Sequence, residues 1–197
     1  MRRLLLATTN PGKQREFRRL LRTLPAEIVT PDHVGVTLEV DEPYDTYAQN
    51  ASAKADAYVR ASGLLTLADD SGIEVAALDW GPGVRSARWG AGRGGDADGL
   101  LGALADVADR RARMVCVLAL GIPTDADPRI ELVRGEIAGT IAAGRRGSGG
   151  FGYDPVFVVD GRMTTAELPD DEKDRISHRG RAVAAALPRL RELLAAP

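Results

Sequence analysis

The sequence predicts an α/β fold built on a mixed β-sheet flanked by helices. Three observations carry that reading. Short apolar runs alternate with helix-period segments in the first part of the chain. Two long strand-like runs, residues 114–121 and 130–141, then follow one another directly. An amphipathic segment closes the chain, with Val183, Leu187, Leu190 and Leu194 on one face. Alternation followed by clustered strands favours a mixed sheet over a fully parallel one.

Residues 4–8 read as the first strand, and a helix follows Asn10-Pro11-Gly12-Lys13 to about residue 22. Phe17, Leu20, Leu21 and Leu24 recur at helical spacing, and Arg15, Arg18, Arg19 and Arg22 between them make a solvated face. Residues 26–30 form a second strand, 34–44 are acidic and irregular, and 47–61 form a helix with Ala51, Ala55 and Tyr58 on one stripe. Residues 64–68 and 73–76 read as two short strands around an Asp pair. A glycine-rich loop over 81–99 precedes a short helix at 100–108. After the two long strands come a flexible loop at 144–152, a strand at 156–159 and the closing helix, which Pro188 kinks or restarts.

The chain has 197 residues, which suits a single domain over 1–197, with room for a proper core. Its net charge of −2 argues against broad nucleic-acid or anionic-membrane binding. Cys116 is the only cysteine, so no intrachain disulfide or cysteine metal cluster can form, and it reads as a small core residue. Arg2-Arg3 precedes an apolar run too short for a signal peptide, and no run reaches transmembrane length. A cytoplasmic location is expected.

Four constellations carry chemistry. The most informative is Asp69-Asp70-Ser71-Gly72 after Leu64-Leu65-Thr66-Leu67-Ala68. The carboxylates are expected to end the strand and Ser-Gly to turn the backbone. Paired oxygens there suit a hard divalent cation, although an ordinary Asp-rich turn looks the same. Adjacent strand residues face opposite ways, so only one Asp should point fully at a metal.

Thr8-Thr9-Asn10-Pro11-Gly12-Lys13 lies between a strand and a helix. Asn10 is a strong N-cap, Pro11 suits the first helical position, and Gly12 permits close backbone approach. Free N–H groups and the Lys13 ammonium make an anion site, or simply a capped helix start. Gln14 after Gly12-Lys13 excludes a Walker A loop.

Gly147-Ser148-Gly149-Gly150-Phe151-Gly152 contains G-x-G-x-x-G, but an apolar strand-like run follows where a dinucleotide site needs a helix. The better reading is a glycine loop that brings Phe151 or Tyr153 against a flat base, or a turn with core aromatics. Downstream, Ser177 should cap the last helix and place His178 and Arg179 in its first turn. Cations oppose the helix dipole there, so a compensating ligand is expected. Finally, the acidic stretch Glu39, Asp41 and Glu42 precedes a helix on which Asn50 and Lys54 share a face.

These segments, in this order, resemble the inosine triphosphate pyrophosphatase family. The resemblance rests on residues 7–13, Asn50-Ala51 with Lys54, residues 68–72, Pro82-Gly83-Val84 with Ser86-Ala87-Arg88, residues 149–155, Ala166-Glu167-Leu168 with Glu172-Lys173, and Ser177-His178-Arg179-Gly180. It implies an elongated mixed sheet with two lobes and a central cleft, usually in a homodimer. It implies Mg²⁺-dependent hydrolysis of non-standard purine nucleoside triphosphates (ITP, dITP, XTP) to the monophosphate and pyrophosphate. Asp70 would be general base and metal ligand, with Asp69 beside it and Glu42, Asp41 or Glu39 completing the metal site. Residues 8–13, Lys54 and Ser71 would hold phosphates and sugar. Phe151, Gly152, Tyr153, Asp154, Lys173, His178 and Arg179 would hold the purine. The chain departs from the family pattern at Gln49 and at Asp79-Trp80. Competing readings are a pyrophosphatase for another modified triphosphate and a nucleotide-binding regulator without turnover.

Overall fold

The computed structural model describes residues 2–90 and 95–195. The expected loop at 81–99 therefore lies partly outside the described residues. Its described part holds short helical turns as well as loop.

The elements are β1 (Arg2–Leu6), α1 (Pro11–Leu20), β2 (Ala26–Val29), α2 (Tyr47–Ser62), β3 (Leu65–Val75), β4 (Gly81–Pro82), α3 (Ser86–Trp89) and α4 (Asp96–Ala103). They continue with β5 (Arg111–Ile122), β6 (Arg129–Ile141), β7 (Phe157–Val159), β8 (Met163–Thr164), α5 (Asp170–Ile176) and α6 (His178–Ala195). The strands form one mixed sheet in the order β2-β1-β3-β5-β6-β7-β8, with β4 paired to β3. β1 runs parallel to β2 and β3, whereas β4, β7 and β8 pair antiparallel.

The chain divides into two compact units. The first comprises residues 1–70, 116–135 and 182–197, and the second 71–115 and 136–181. In the first, Leu4 and Leu6 of β1, Leu67 of β3 and Cys116, Leu118 and Leu120 of β5 form one sheet face. Phe17 and Leu21, with Ala182, Val183, Ala186 and Leu190 of α6, cover it. Alternate strand residues share a face, and the helical stripes match the period expected of amphipathic helices. In the second unit, Ile73, Val75, Leu100, Met114, Ile137 and Phe157 anchor a separate core.

Three expectations fail. β3 does not end at the Asp pair but runs through Asp69-Asp70-Ser71-Gly72 as one strand. The carboxylates remain in extended backbone because side chains of α1 and α2 meet them, so no turn is needed to solvate them. Pro188 lies inside α6, which continues through it, so the restart offered as one of two outcomes does not occur. The helix expected at 100–108 starts at Asp96 instead, where Asp96 and Asp98 complement its N-terminal dipole.

At the departure noted above, Asp79 and Trp80 both take left-handed backbone, with φ of 51° and 61°. Glycine adopts that conformation without steric cost. Trp80 keeps its ring half-exposed beneath the Arg113 guanidinium, 4.8 Å from the ring centroid.

Candidate active site

In the first unit, strand alternation sorts the two aspartates. Asp69 shares a face with Leu67 and meets Lys13 of α1 at 2.8 Å. Asp70 faces the other way, where Asn50 of α2 donates Nδ2 to its Oδ2 at 3.0 Å. Lys54, one helical turn beyond Asn50, donates to the Asp69 carbonyl at 3.0 Å and forms an ion pair with Glu42. Asn50 also accepts from the Tyr44 N–H and donates to the Tyr44 carbonyl, at 3.1 and 3.2 Å. Tyr58 reaches the Leu38 carbonyl at 3.1 Å. The acidic segment is thus fastened to α2 at both ends.

Asp70 is 4% exposed. Burial and then the charge of Glu42 push its carboxyl up, the Asn50 hydrogen bond pulls it down, and the balance lies at about 6. Lys13 and Lys54 act in the opposite direction. Burial also lowers Lys54, but the charges of Asp69, Glu42 and Asp70 and the Glu42 hydrogen bond outweigh it and hold Lys54 above its ordinary value.

Two mutually repelling carboxylates, one of them buried, form a hard oxygen donor set suited to a divalent cation. Asp70 and Glu42 therefore fit such an ion. Asp41 is exposed, and among the described residues no cluster of three or more His, Cys, Asp or Glu forms a metal site. Water and substrate oxygens would complete the coordination.

The start of α1 matches its expectation. Asn10 Oδ1 accepts from the Lys13 N–H at 3.0 Å, and Pro11 occupies the first turn. The Thr8 hydroxyl accepts from the Asn10 N–H at 3.3 Å, and its carbonyl accepts from Gln14. Gly12 is buried, whereas Thr9, Asn10 and Pro11 are exposed.

The second unit gathers the other predicted residues. Phe151 is half-buried, with the Lys173 ammonium 5.6 Å and the Arg179 guanidinium 5.5 Å from its ring centroid. Arg179 donates to the Ser71 hydroxyl at 3.2 Å. Ser177 caps α6 by accepting from the Gly180 N–H at 3.1 Å, and His178 and Arg179 are buried in the first turn.

Two of the predicted residues have intramolecular partners. Tyr153 belongs to the core, and its hydroxyl donates to the Ser86 carbonyl at 2.8 Å. Burial and the charge of Asp96 both raise its phenol above the ordinary value. Phe151 is the loop's other aromatic and is only half-buried. Asp154 is buried with Lys173 at 2.6 Å and the Phe151 N–H at 2.7 Å. Its carboxylate ties the loop backbone to Lys173. Gly152, at φ 60°, supplies the backbone reversal between them.

Asn50, to which sequence reasoning gave no role, is the side chain that meets Asp70; its shared face with Lys54 was the available signal.

Residues 4–189 match the Ham1 family. The chain belongs to the Ham1 family. A dITP/XTP pyrophosphatase from Symbiobacterium thermophilum is 50% identical over 196 residues, covering 98% of this chain and 97% of that protein. One of the same name from Streptomyces coelicolor is 45% identical, covering 98% and 100%. Among solved structures, a HAM1 protein from Coxiella burnetii superposes with a TM-score of 0.84 at 39% identity, covering 98% of this chain and all of that one. The Staphylococcus aureus Ham1 protein gives 0.82 at 32% identity, covering 97% and 99%. This Ham1 chain thus carries the family resemblance that its motif order implied, and its mixed eight-stranded sheet is that of its structural relatives.

Proposed function

We propose that this chain hydrolyses non-standard purine nucleoside triphosphates, dITP, XTP and ITP, to the monophosphate and pyrophosphate. The relatives' names support the substrate class. The observation that carries the chemistry is Asp70: a buried carboxylate tuned to about 6, hydrogen-bonded to Asn50 and flanked electrostatically by Lys13, Lys54 and Glu42. A base with that tuning is ionised near neutral pH and still accepts a proton readily.

Asp70 and Glu42 would hold Mg²⁺, which supplies neutralisation of phosphate charge when bound. Asp70 takes a proton from the water that attacks the α-phosphorus. The bond to the bridging oxygen breaks, and pyrophosphate leaves with the electron pair. Lys13, Lys54 and the N–H groups at the start of α1 stabilise the negative charge that develops on it. Ser71 contacts the sugar-phosphate. Asp69 keeps Lys13 in place through their ion pair.

Phe151 stacks on the purine, with Lys173, His178 and Arg179 at its edge. Hypoxanthine and xanthine carry a carbonyl acceptor at position six, whereas adenine carries an amino donor. Arg179 donates only. Facing adenine, its donor goes unpaired at a cost of about 1–3 kcal/mol.

The same reading includes a homodimer working in the cytoplasm. Among the described residues, no helix is long and apolar enough to cross a membrane. The test is product analysis with ITP, dITP, XTP, GTP and ATP, with and without Mg²⁺. Monophosphate plus pyrophosphate from XTP and dITP, dependent on metal and weak with ATP, is the expected result. Preference for a pyrimidine would point to another modified triphosphate. Binding without pyrophosphate release would make the chain a nucleotide-binding regulator.

A further inference from the structure

Asp154 is the hub of the second unit's polar residues. Its Oδ2 accepts from the Phe151 N–H at 2.7 Å and from Lys173 Nζ at 2.6 Å. Its Oδ1 accepts from the Thr165 hydroxyl at 2.8 Å. Gly150, at φ 70°, passes so close that a Cβ there would overlap the Asp154 carboxylate. The loop's geometry therefore depends on where that carboxylate points.

Thr165 is 1% exposed and follows directly on β8. The strand pairing of β7 with β8 and the Thr165 N–H bond to the Phe157 carbonyl at 2.9 Å fix its backbone. Its neighbour Ala166 accepts from the Gly149 N–H at 3.0 Å, so this segment also underlies the glycine loop. Hydrogen bonds to an ionised acceptor are the strong ones. A carboxylate held at both oxygens cannot rotate away from its partners.

We propose that Thr165 is a positioning residue for base recognition. It holds Asp154 in the orientation that clamps the Phe151 backbone and the Lys173 ammonium together. The proposal rests on the reading that Phe151 stacks on the purine. Thr165 acts through Asp154 and does not touch the base.

The test compares the wild type with Thr165→Val, Thr165→Ser and Phe151→Ala, using XTP and dITP. Thr165→Ala replaces the valine variant if that one does not fold. Thr165→Val preserves volume and removes the donor. It is expected to raise KM about tenfold, the loss typical of one hydrogen bond to a charged group, while kcat stays within about twofold. Thr165→Ser should restore the wild-type KM. Hydrogen exchange at the Phe151 amide should accelerate about tenfold in Thr165→Val, because its acceptor is no longer fixed. Unchanged exchange overturns the proposal, as does a KM that stays at the wild-type value when Phe151→Ala raises it. Faster exchange together with a wild-type KM for Phe151→Ala would uphold the positioning role and overturn the stacking reading instead.

Discussion

Asn50 Nδ2 donates to Asp70 Oδ2 at 3.0 Å, and the same side chain holds both backbone polar groups of Tyr44. One buried amide therefore links the candidate base to the segment that carries Glu42. Burial favours protonated Asp70, whereas a hydrogen bond to the carboxylate favours the ionised form. Asn50 is the strongest influence in that second direction.

Asn50→Leu removes that influence while keeping similar volume. In the metal-free protein the Asp70 carboxyl should rise further above its ordinary value. A one-unit rise corresponds to about 1.4 kcal/mol in favour of the protonated form. An NMR titration of the carboxyl from pH 4 to about 9 in chelator reads this directly. A midpoint that does not move would show that Asn50 acts on the acidic segment alone.

Asp70→Asn should abolish turnover and leave the fold intact, since the amide oxygen still accepts from Asn50. It should also raise Tm above pH 6. The sign follows from linkage. The folded carboxyl sits at about 6 against an ordinary 3.8, so the folded state binds this proton more tightly. Its contribution to stability is full below about 3.8 and is lost as pH rises through about 6. At pH 8 the wild type carries the cost of the buried charge and the asparagine variant does not. Thermal melts in chelator at pH 4 and 8 should therefore diverge only at the higher pH.

The sequence made the sheet type, most element positions and the N-caps at Asn10 and Ser177 legible, because each rests on local periodicity or capping. It also made the opposite orientations of Asp69 and Asp70 legible, because alternation along a strand needs no tertiary knowledge. It did not reveal that the strand continues past them. That outcome depends on Lys13 and Asn50, supplied by helices distant in sequence. The intramolecular partners of Tyr153 and Asp154 were hidden for the same kind of reason. An aromatic and an acid in a glycine loop look like ligand contacts until Ser86, Thr165 and Lys173 are brought against them. Thr165 itself carries no local signal, since its partner lies on the far side of a β-hairpin.

Gly180→Ala tests the junction between α5 and α6. A Cβ at Gly180 would collide with the Asp174 carbonyl oxygen and crowd the Ser177 hydroxyl. The Asp174 contact is backbone and leaves little room for relief, so destabilisation of about 3 kcal/mol is expected. Urea unfolding should show the loss. Residual folded protein should show weakened XTP binding, because the same turn sets His178 and Arg179.

Arg179→Ala separates base selection from bond cleavage. Arg179 is 3% exposed, and its guanidinium donates to Ser71 Oγ at 3.2 Å and sits 5.5 Å from the Phe151 ring centroid. It remains charged at any working pH and offers donors only, so it suits an acceptor at the purine edge and cannot satisfy an amino group. Removing it eliminates the unpaired-donor cost that adenine meets. It also removes a favourable bond to hypoxanthine or xanthine. Both changes lower the ratio of kcat/KM for ITP to that for ATP, and each amounts to about 1–3 kcal/mol. The ratio should fall at least about tenfold, mainly through a higher KM for ITP, because Lys13, Lys54 and Asp70 keep their places in the other unit. Competition between ITP and ATP in one reaction measures the ratio free of enzyme concentration. An unchanged ratio would remove Arg179 from base recognition and leave it as an anchor for Ser71.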